Sequence, residues 1–272
     1  MGKRDVHKQD LAALFDAFEA TGDIKELTTY LVSNSNLPGP RGNLELAYAF
    51  GDVIGKQAGQ GTSLESIWTL CKDLTKISAA EAPVGDPREF LPFCGTVGLG
   101  SIGAANAEYT ETALEILRDL ARDPRWRMRE AVCIGLQRLI AVQSRQTLAA
   151  LKTWVAGGDL LEMRAAAAGV AEPALLVDRA TATVALELHR GILDRVLKTD
   201  DRRSDAFRTL RKGLGYTLSV VVCAVPQEGF AYLGQLAGID DRDVHWILSQ
   251  NLKKNRLAKN YPVQVHALRA AL

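Results

Sequence analysis

The sequence of 272 residues predicts an all-α fold built from antiparallel helical hairpins. Apolar residues recur at three- and four-residue spacing along most of the chain, which gathers them on one face of successive helices. No stretch sustains the apolar–polar alternation of a half-buried strand. Short turns carrying Asp, Gly or Pro separate the helical stripes, so consecutive helices fold back on one another.

Taken in order, Leu11, Leu14, Phe15 and Phe18 line one face of a helix over 10–18 that ends at Thr21-Gly22-Asp23. A shorter helix follows, holding Ile24, Leu27, Tyr30 and Leu31. Two prolines and two glycines between Pro38 and Gly42 make residues 33–42 irregular. Asn43 is the expected N-cap of a helix through about Gln57, and Thr62-Ser63-Leu64-Glu65 reads as a capping box opening the next, through Ile77. Residues 78–88, with Pro83, Gly85, Asp86 and Pro87, form a second loop. Residues 90–105 are apolar and small, with Gly95, Gly98, Gly100 and Gly103. Each glycine costs a helix interior about 1 kcal/mol against alanine, so close approach of a neighbouring helix is the expected reason for them. A phosphate-cradling loop is excluded, because no preceding strand and no Gly-Lys-Ser/Thr ending is present.

Residues 111–140 form the most regular hairpin. Asp123 as N-cap and Pro124 at the first helical position open its second helix, with Met128, Ala131, Val132, Gly135, Leu136 and Leu139 as the apolar stripe. Residues 146–156 carry Leu148, Leu151 and Val155. Met163-Arg164-Ala165-Ala166 then repeats Met128-Arg129-Glu130-Ala131 thirty-five residues on. Pro173 closes that helix, a longer one spans 179–196, and 205–225 begins with Phe207-Arg208, a weaker copy of the Met-Arg pair. Pro226 and Gly229 are expected to break the chain. A helix follows Asp240-Asp241, and a terminal helix over 262–272 caps the array.

Asp123-Pro124, Met128, Arg129-Glu130-Ala131 and Leu136, with six residues from Asp123 to Arg129, closely resemble a HEAT repeat. That resemblance implies an α-α superhelix: a right-handed solenoid of stacked antiparallel hairpins, forming one domain over 1–272. Hairpins over 1–108 are irregular and those over 109–272 more regular. It also implies that Asp123 and Arg129 form a structural ladder between repeats rather than a site. Function does not follow from such a fold.

Composition narrows the classes. Lys plus Arg (33) nearly cancels Asp plus Glu (32), which argues against an overall nucleic-acid or membrane-binding charge. Cys71, Cys94, Cys133 and Cys223 lie far apart, mostly among apolar residues, as reduced buried thiols do. The N-terminal segment lacks an apolar signal core, and the longest apolar runs are interrupted and too short for a span. A cytoplasmic protein that does not enter a membrane is expected. His7, His189, His245 and His266 never pair at metal-ligand spacing, and no nucleophile elbow occurs, so no metal, cofactor or catalytic residue is expected.

Candidate binding residues remain. Arg122, Arg125, Trp126 and Arg127 form a basic turn around an aromatic, which either contacts phosphates and stacks bases or packs on the adjacent repeat. Trp154 and Trp246 lie near corresponding repeat edges, and Arg129, Arg164 and Arg208, if exposed on one surface, would hold phosphates or acidic side chains. Residues 244–272 hold Lys253, Lys254, Arg256, Lys259 and Arg269 with no Asp or Glu. That charge suits an acidic partner or a nucleic-acid backbone, and it equally suits helix C-termini. The expected activity is a non-catalytic scaffold holding a protein partner on its concave face. In length, helical repeats and scattered Trp and Arg the chain is also similar to the HEAT-like alkylpurine DNA glycosylases. That resemblance implies DNA alkylation repair as the alternative, with Trp154 and Asp159 nearest to those enzymes' tryptophan–aspartate pair.

Overall fold

The computed structural model describes residues 2–60 and 64–272. Fifteen α-helices, three short 3-10 turns and no strand make up these described residues. The expected capping box at Thr62-Ser63 lies outside them. The chain divides into two compact units, Met1–Gln143 and Ser144–Leu272.

The first unit holds α1 (Lys3–Thr21), α2 (Lys25–Ser33), α3 (Leu44–Gln60), α4 (Leu64–Thr75), α5 (Phe90–Ala105), α6 (Thr110–Leu120) and α7 (Trp126–Val142). Its odd-numbered helices contact one another in succession: α1 packs on α3, α3 on α5 and α5 on α7. The expected cap of α3 is present, since Asn43 Oδ1 accepts the Leu46 N–H at 3.1 Å. Helix α5 is the centre of the unit, with α3, α4, α6 and α7 all against it. Every residue from Phe90 to Ala104 is buried. A helix surrounded on all sides needs no polar face, and this one has none.

Its glycines are notches for close neighbours. A Cβ on Gly100 would lie 2.4 Å from Gly135 Cα, so the backbones of α5 and α7 touch there. One on Gly98 would meet Cys71 Sγ at 2.5 Å, and one on Gly95 would meet the Cys71 carbonyl oxygen at 2.6 Å. The polar residues of α5 look inward to their own helix: Thr96 Oγ1 donates to the Pro92 carbonyl and Ser101 Oγ to that of Val97, both at 2.8 Å. The unit is also laced by Asp52 on α3. Its carboxylate takes Arg4 and Lys8 of α1 at 2.7 Å and Arg138 of α7 at 3.1 Å. Burial would raise the Asp52 pKa, but these three cations hold it below the ordinary carboxylate range.

The second unit holds α8 (Ser144–Gly157), α9 (Leu160–Val170), α10 (Arg179–Leu197), α11 (Asp205–Ala224), α12 (Pro226–Ala237), α13 (Arg242–Leu252), α14 (Asn255–Ala258) and α15 (Pro262–Ala270). Here α9 packs on α11 and α11 on α13, while α8 packs on α10. Four helix starts are capped by side chains, that of α11 by Ser204, whose Oγ accepts the Phe207 N–H at 3.3 Å. Asp159 accepts the Leu161 and Glu162 N–H groups, Asp178 that of Thr181, and Asp241 those of Asp243 and Val244. Central α11 is held by polar contacts. Asn251 Nδ2 donates to the Leu214 carbonyl at 2.8 Å and its Oδ1 accepts the Ser219 N–H at 2.7 Å, all buried. His189 is fully buried on α10. Its Nδ1–H donates to the Ala185 carbonyl at 2.8 Å, and Thr217 of α11 donates to its Nε2 at 2.9 Å. Burial lowers the His189 pKa to about 4.

Two expected boundaries are corrected. Helix α7 begins at Trp126 and not at Pro124, because the Asp123 carboxylate is used in a turn, accepting the Arg125 N–H at 2.7 Å. Pro226 does not break the chain but starts α12, where its missing N–H costs nothing. Gly229 lies inside that helix, because a Cβ there would stand 2.9 Å from Val222 Cα.

Candidate functional site

The basic turn before α7 was one expected surface, and the structure withdraws its two central arginines from solvent. Arg125 is 2% exposed. Its guanidinium takes Asp123 at 2.7 Å and donates to the carbonyls of Ala82 (3.2 Å) and Ile77 (3.0 Å). Arg127 is 4% exposed, pairs with fully buried Glu89 at 3.0 Å and donates to the Gly39 carbonyl at 2.6 Å. Glu89 also accepts the Gly85 N–H at 2.8 Å. Buried charges persist when paired and hydrogen-bonded, and both arginines satisfy that condition by pinning the irregular loops over 33–42 and 78–88 to α7. Their expected role as phosphate or partner contacts is therefore corrected to a structural one. Trp126 remains 37% exposed, with the Arg127 guanidinium 4.4 Å from its ring centroid. Arg122 is exposed beside Asp119 at 3.6 Å. Arg129 donates to the carbonyls of Asp123 (2.7 Å) and Pro124 (3.1 Å), so it braces the turn through the backbone.

The Trp154–Asp159 pair is not presented to a ligand as the glycosylase resemblance requires. Trp154 is buried on α8, and Asp159 caps α9. Among the described residues no group of three His, Cys, Asp or Glu side chains is placed to hold a metal ion. No helix among them is long and apolar enough to cross a membrane.

The remaining expected residues, Arg164, Trp246, Lys253 and Lys254, lie in the second unit on α9, α13 and the segment into α14, and Trp246 and Lys254 each contact α11. Arg164 of α9 lies against Gly213 of α11. Trp246 of α13 packs over Gly215, where a Cβ would stand 3.1 Å from its ring, and carries the Arg211 guanidinium 4.6 Å from its centroid. Arg211 also pairs with the Asp243 carboxylate, which Arg202 reaches at 3.2 Å. Arg202 binds Asp241 at 2.6 Å as well. Burial would raise the Asp241 pKa, but the Val244 N–H and Arg202 outweigh it and hold that carboxyl below its usual range. Both acids are thus already engaged.

At the residue directly after Gly215, the charge balance changes. Tyr216 is 47% exposed. Arg256 stands 4.8 Å from its ring centroid and donates to its hydroxyl at 2.7 Å, and Lys254 stands 5.4 Å from the same ring. Among the described residues no carboxylate pairs with Lys254 or Arg256, and Lys253 is exposed beside them. Cations over an aromatic face gain about 0.5–1 kcal/mol at exposed sites, enough to orient them without neutralising them. Arg256 belongs to the expected basic segment over 244–272, whereas Tyr216 and Arg211 were not among the expected site residues. The signal that points to them is Gly215-Tyr216 within an otherwise regular helix, a small residue beside an exposed aromatic.

Lys254 and Arg256 also border a cleft of about 630 Å3. Leu176, Val220 and Ala224 give it an apolar wall, Asn255 and Asn260 add neutral polar groups, and Cys223 opens onto it. No acidic residue lines it. A cleft of about 740 Å3 in the first unit has the opposite character, with Glu65 and Asp73 beside Ile24, Leu70 and Ile77. No protein-family model matches this chain, and no curated protein matches it.

Proposed function

We infer that the chain is a HEAT-like helical-repeat scaffold that holds an acidic segment of a protein partner on the α11–α13 face of its second unit. The successive contacts α1–α3–α5–α7 and α9–α11–α13 support stacked hairpins, the arrangement of a solenoid, whose inner helices would form the concave side. The observation that carries the function is Tyr216 with Lys254 and Arg256 gathered on it, cations held in place and left without an acid of their own. Such groups bind carboxylates by charge-assisted hydrogen bonds. A nucleic-acid partner is disfavoured by the near-neutral total charge and by the burial of Arg125 and Arg127.

The test is affinity capture with the whole chain, mass-spectrometric identification of what is retained, and reconstitution with the purified partner. The Lys253→Glu/Lys254→Glu variant should lose at least about tenfold in affinity for that partner. Labelled duplex DNA should bind poorly at physiological salt. Duplex binding at micromolar concentration or tighter, falling steeply with salt and lost in the same variant, would replace the protein reading with the DNA reading.

A further inference from the structure

The cleft beside Tyr216 pairs an apolar wall with two cations that have no acid partner among the described residues. Clefts of about 300–1,000 Å3 with apolar walls and a few placed polar groups are the usual form of a specific binding site. This one has about 630 Å3. Its Leu176–Val220–Ala224 wall and its Lys254–Arg256 border come from different elements and line the same cleft, so one occupant can meet both. Val177, 86% exposed, extends the apolar side outward. The segment over 244–272 that supplies these two cations holds three more, Lys253, Lys259 and Arg269, and no Asp or Glu. Charge complementarity therefore selects an anion, and the wall selects an apolar group attached to it.

We propose that this cleft is the specificity pocket of the scaffold and takes an acidic peptide segment of the partner that carries bulky aliphatic side chains. The aliphatic side chains seat on Leu176, Val220 and Ala224 while flanking carboxylates reach Lys254 and Arg256. This rests on the acid-binding reading of the same face and sharpens it: charge brings the segment in, and the apolar wall decides which acidic segment stays. Long-range attraction alone discriminates poorly among acidic sequences, whereas one buried aliphatic group in a shaped pocket distinguishes them by about tenfold or more.

The test uses the whole chain and two fluorescein-labelled hexapeptides in anisotropy titrations, Glu-Glu-Leu-Leu-Glu-Glu and Glu-Glu-Ser-Ser-Glu-Glu. The leucine peptide should bind about tenfold more tightly than the serine peptide. Lys254→Glu/Arg256→Glu should weaken both. Ala224→Phe, which fills the cleft from the end of α11, should weaken the leucine peptide about tenfold and leave the serine peptide unchanged. Alkylation of Cys223 by iodoacetamide gives a readout that needs no variant, since its thiol opens onto the cleft whereas Cys71 and Cys94 are fully buried. The leucine peptide should slow that alkylation, and the serine peptide should not. Equal affinity for the two peptides, or no protection of Cys223, would overturn the pocket and leave the acid-binding face standing, provided the double reversal still weakens both. Failure of both peptides to bind would overturn pocket and acid-binding face together.

Discussion

The two units each centre on one helix, and those helices are specified in different ways. Helix α5 is specified by shape. It buries every residue from Phe90 to Ala104, and its Gly95, Gly98 and Gly100 let α4, α3 and α7 approach until atoms touch. Its polar side chains spend their hydrogen bonds on its own backbone. Helix α11 is specified by hydrogen bonds to its neighbours: His189 meets Thr217, and Asn251 meets Leu214 and Ser219. The first solution consumes the whole circumference of the helix. The second leaves part of it free, and there Tyr216 stands exposed. A polar core can orient a helix from one side, which is why the proposed binding face can exist on α11 and not on α5.

The contrast breaks most sharply at Gly100. Alanine there drives its methyl into the Gly135 backbone, which cannot step aside as a side chain can. Gly100→Ala should destabilise the first unit on the order of 4 kcal/mol in urea unfolding, with hydrogen exchange placing the loss on α5 and α7. Gly135→Ala is its control. The added methyl there meets Leu117 methyls at 3.2 and 3.3 Å, which can give way, and the Thr96 carbonyl oxygen at 3.3 Å, which needs a shift of only a few tenths of an ångström, while alanine's better helix propensity offsets about 1 kcal/mol. A loss at Gly135 equal to that at Gly100 would refute the shape argument.

The polar core of the second unit should instead respond to acid. Folded His189 takes up a proton only near pH 4, whereas in the unfolded chain it does so near 6.5. Its contribution is complete above about pH 6.5 and is lost as the pH falls toward 4, where only the unfolded state binds the proton. The loss amounts to roughly 3 kcal/mol by pH 4. His189→Gln should flatten that slope in thermal melts taken across the same range; an unchanged slope would assign acid sensitivity to other groups. Next in size, Asn251→Leu leaves the Ser219 N–H without its side-chain acceptor and should cost about 2 kcal/mol by denaturant unfolding. Smallest is Arg129→Ala. It removes bonds to the Asp123 and Pro124 carbonyls of a partly exposed turn, a loss of about 1 kcal/mol in the melting of the first unit.

Local chemistry was legible in the sequence, and the pairing of distant elements was not. The helices expected from Asn43 through about Gln57 and over 179–196 follow from periodicity, and the four glycines of the apolar stretch 90–105 point to close packing before any neighbour is known. Arg125 and Arg127 read as a solvated basic turn because nothing local to them shows that Ile77, Ala82 and Gly39 carbonyls arrive from two remote loops. Trp246 and Lys254 were legible as candidates, but their partners Arg211 and Tyr216 lie on the preceding long helix. That juxtaposition comes from stacking α11 on α13, which the spacing of either helix alone does not encode.

The burial of α5 also bears on how the chain is made. Translation delivers this apolar helix before α6 and α7, so the groove lined by Gly100 and Gly103 faces water until Gly135 and Leu139 leave the ribosome. A nascent chain halted between those points carries an uncovered apolar surface, the kind of segment that chaperones bind and that aggregates when they do not. Once α7 arrives, all of α5's neighbours are close in sequence, and such local contacts close quickly. The interval of vulnerability is therefore set by the speed of synthesis across α6 and α7, and slow codons there would lengthen it.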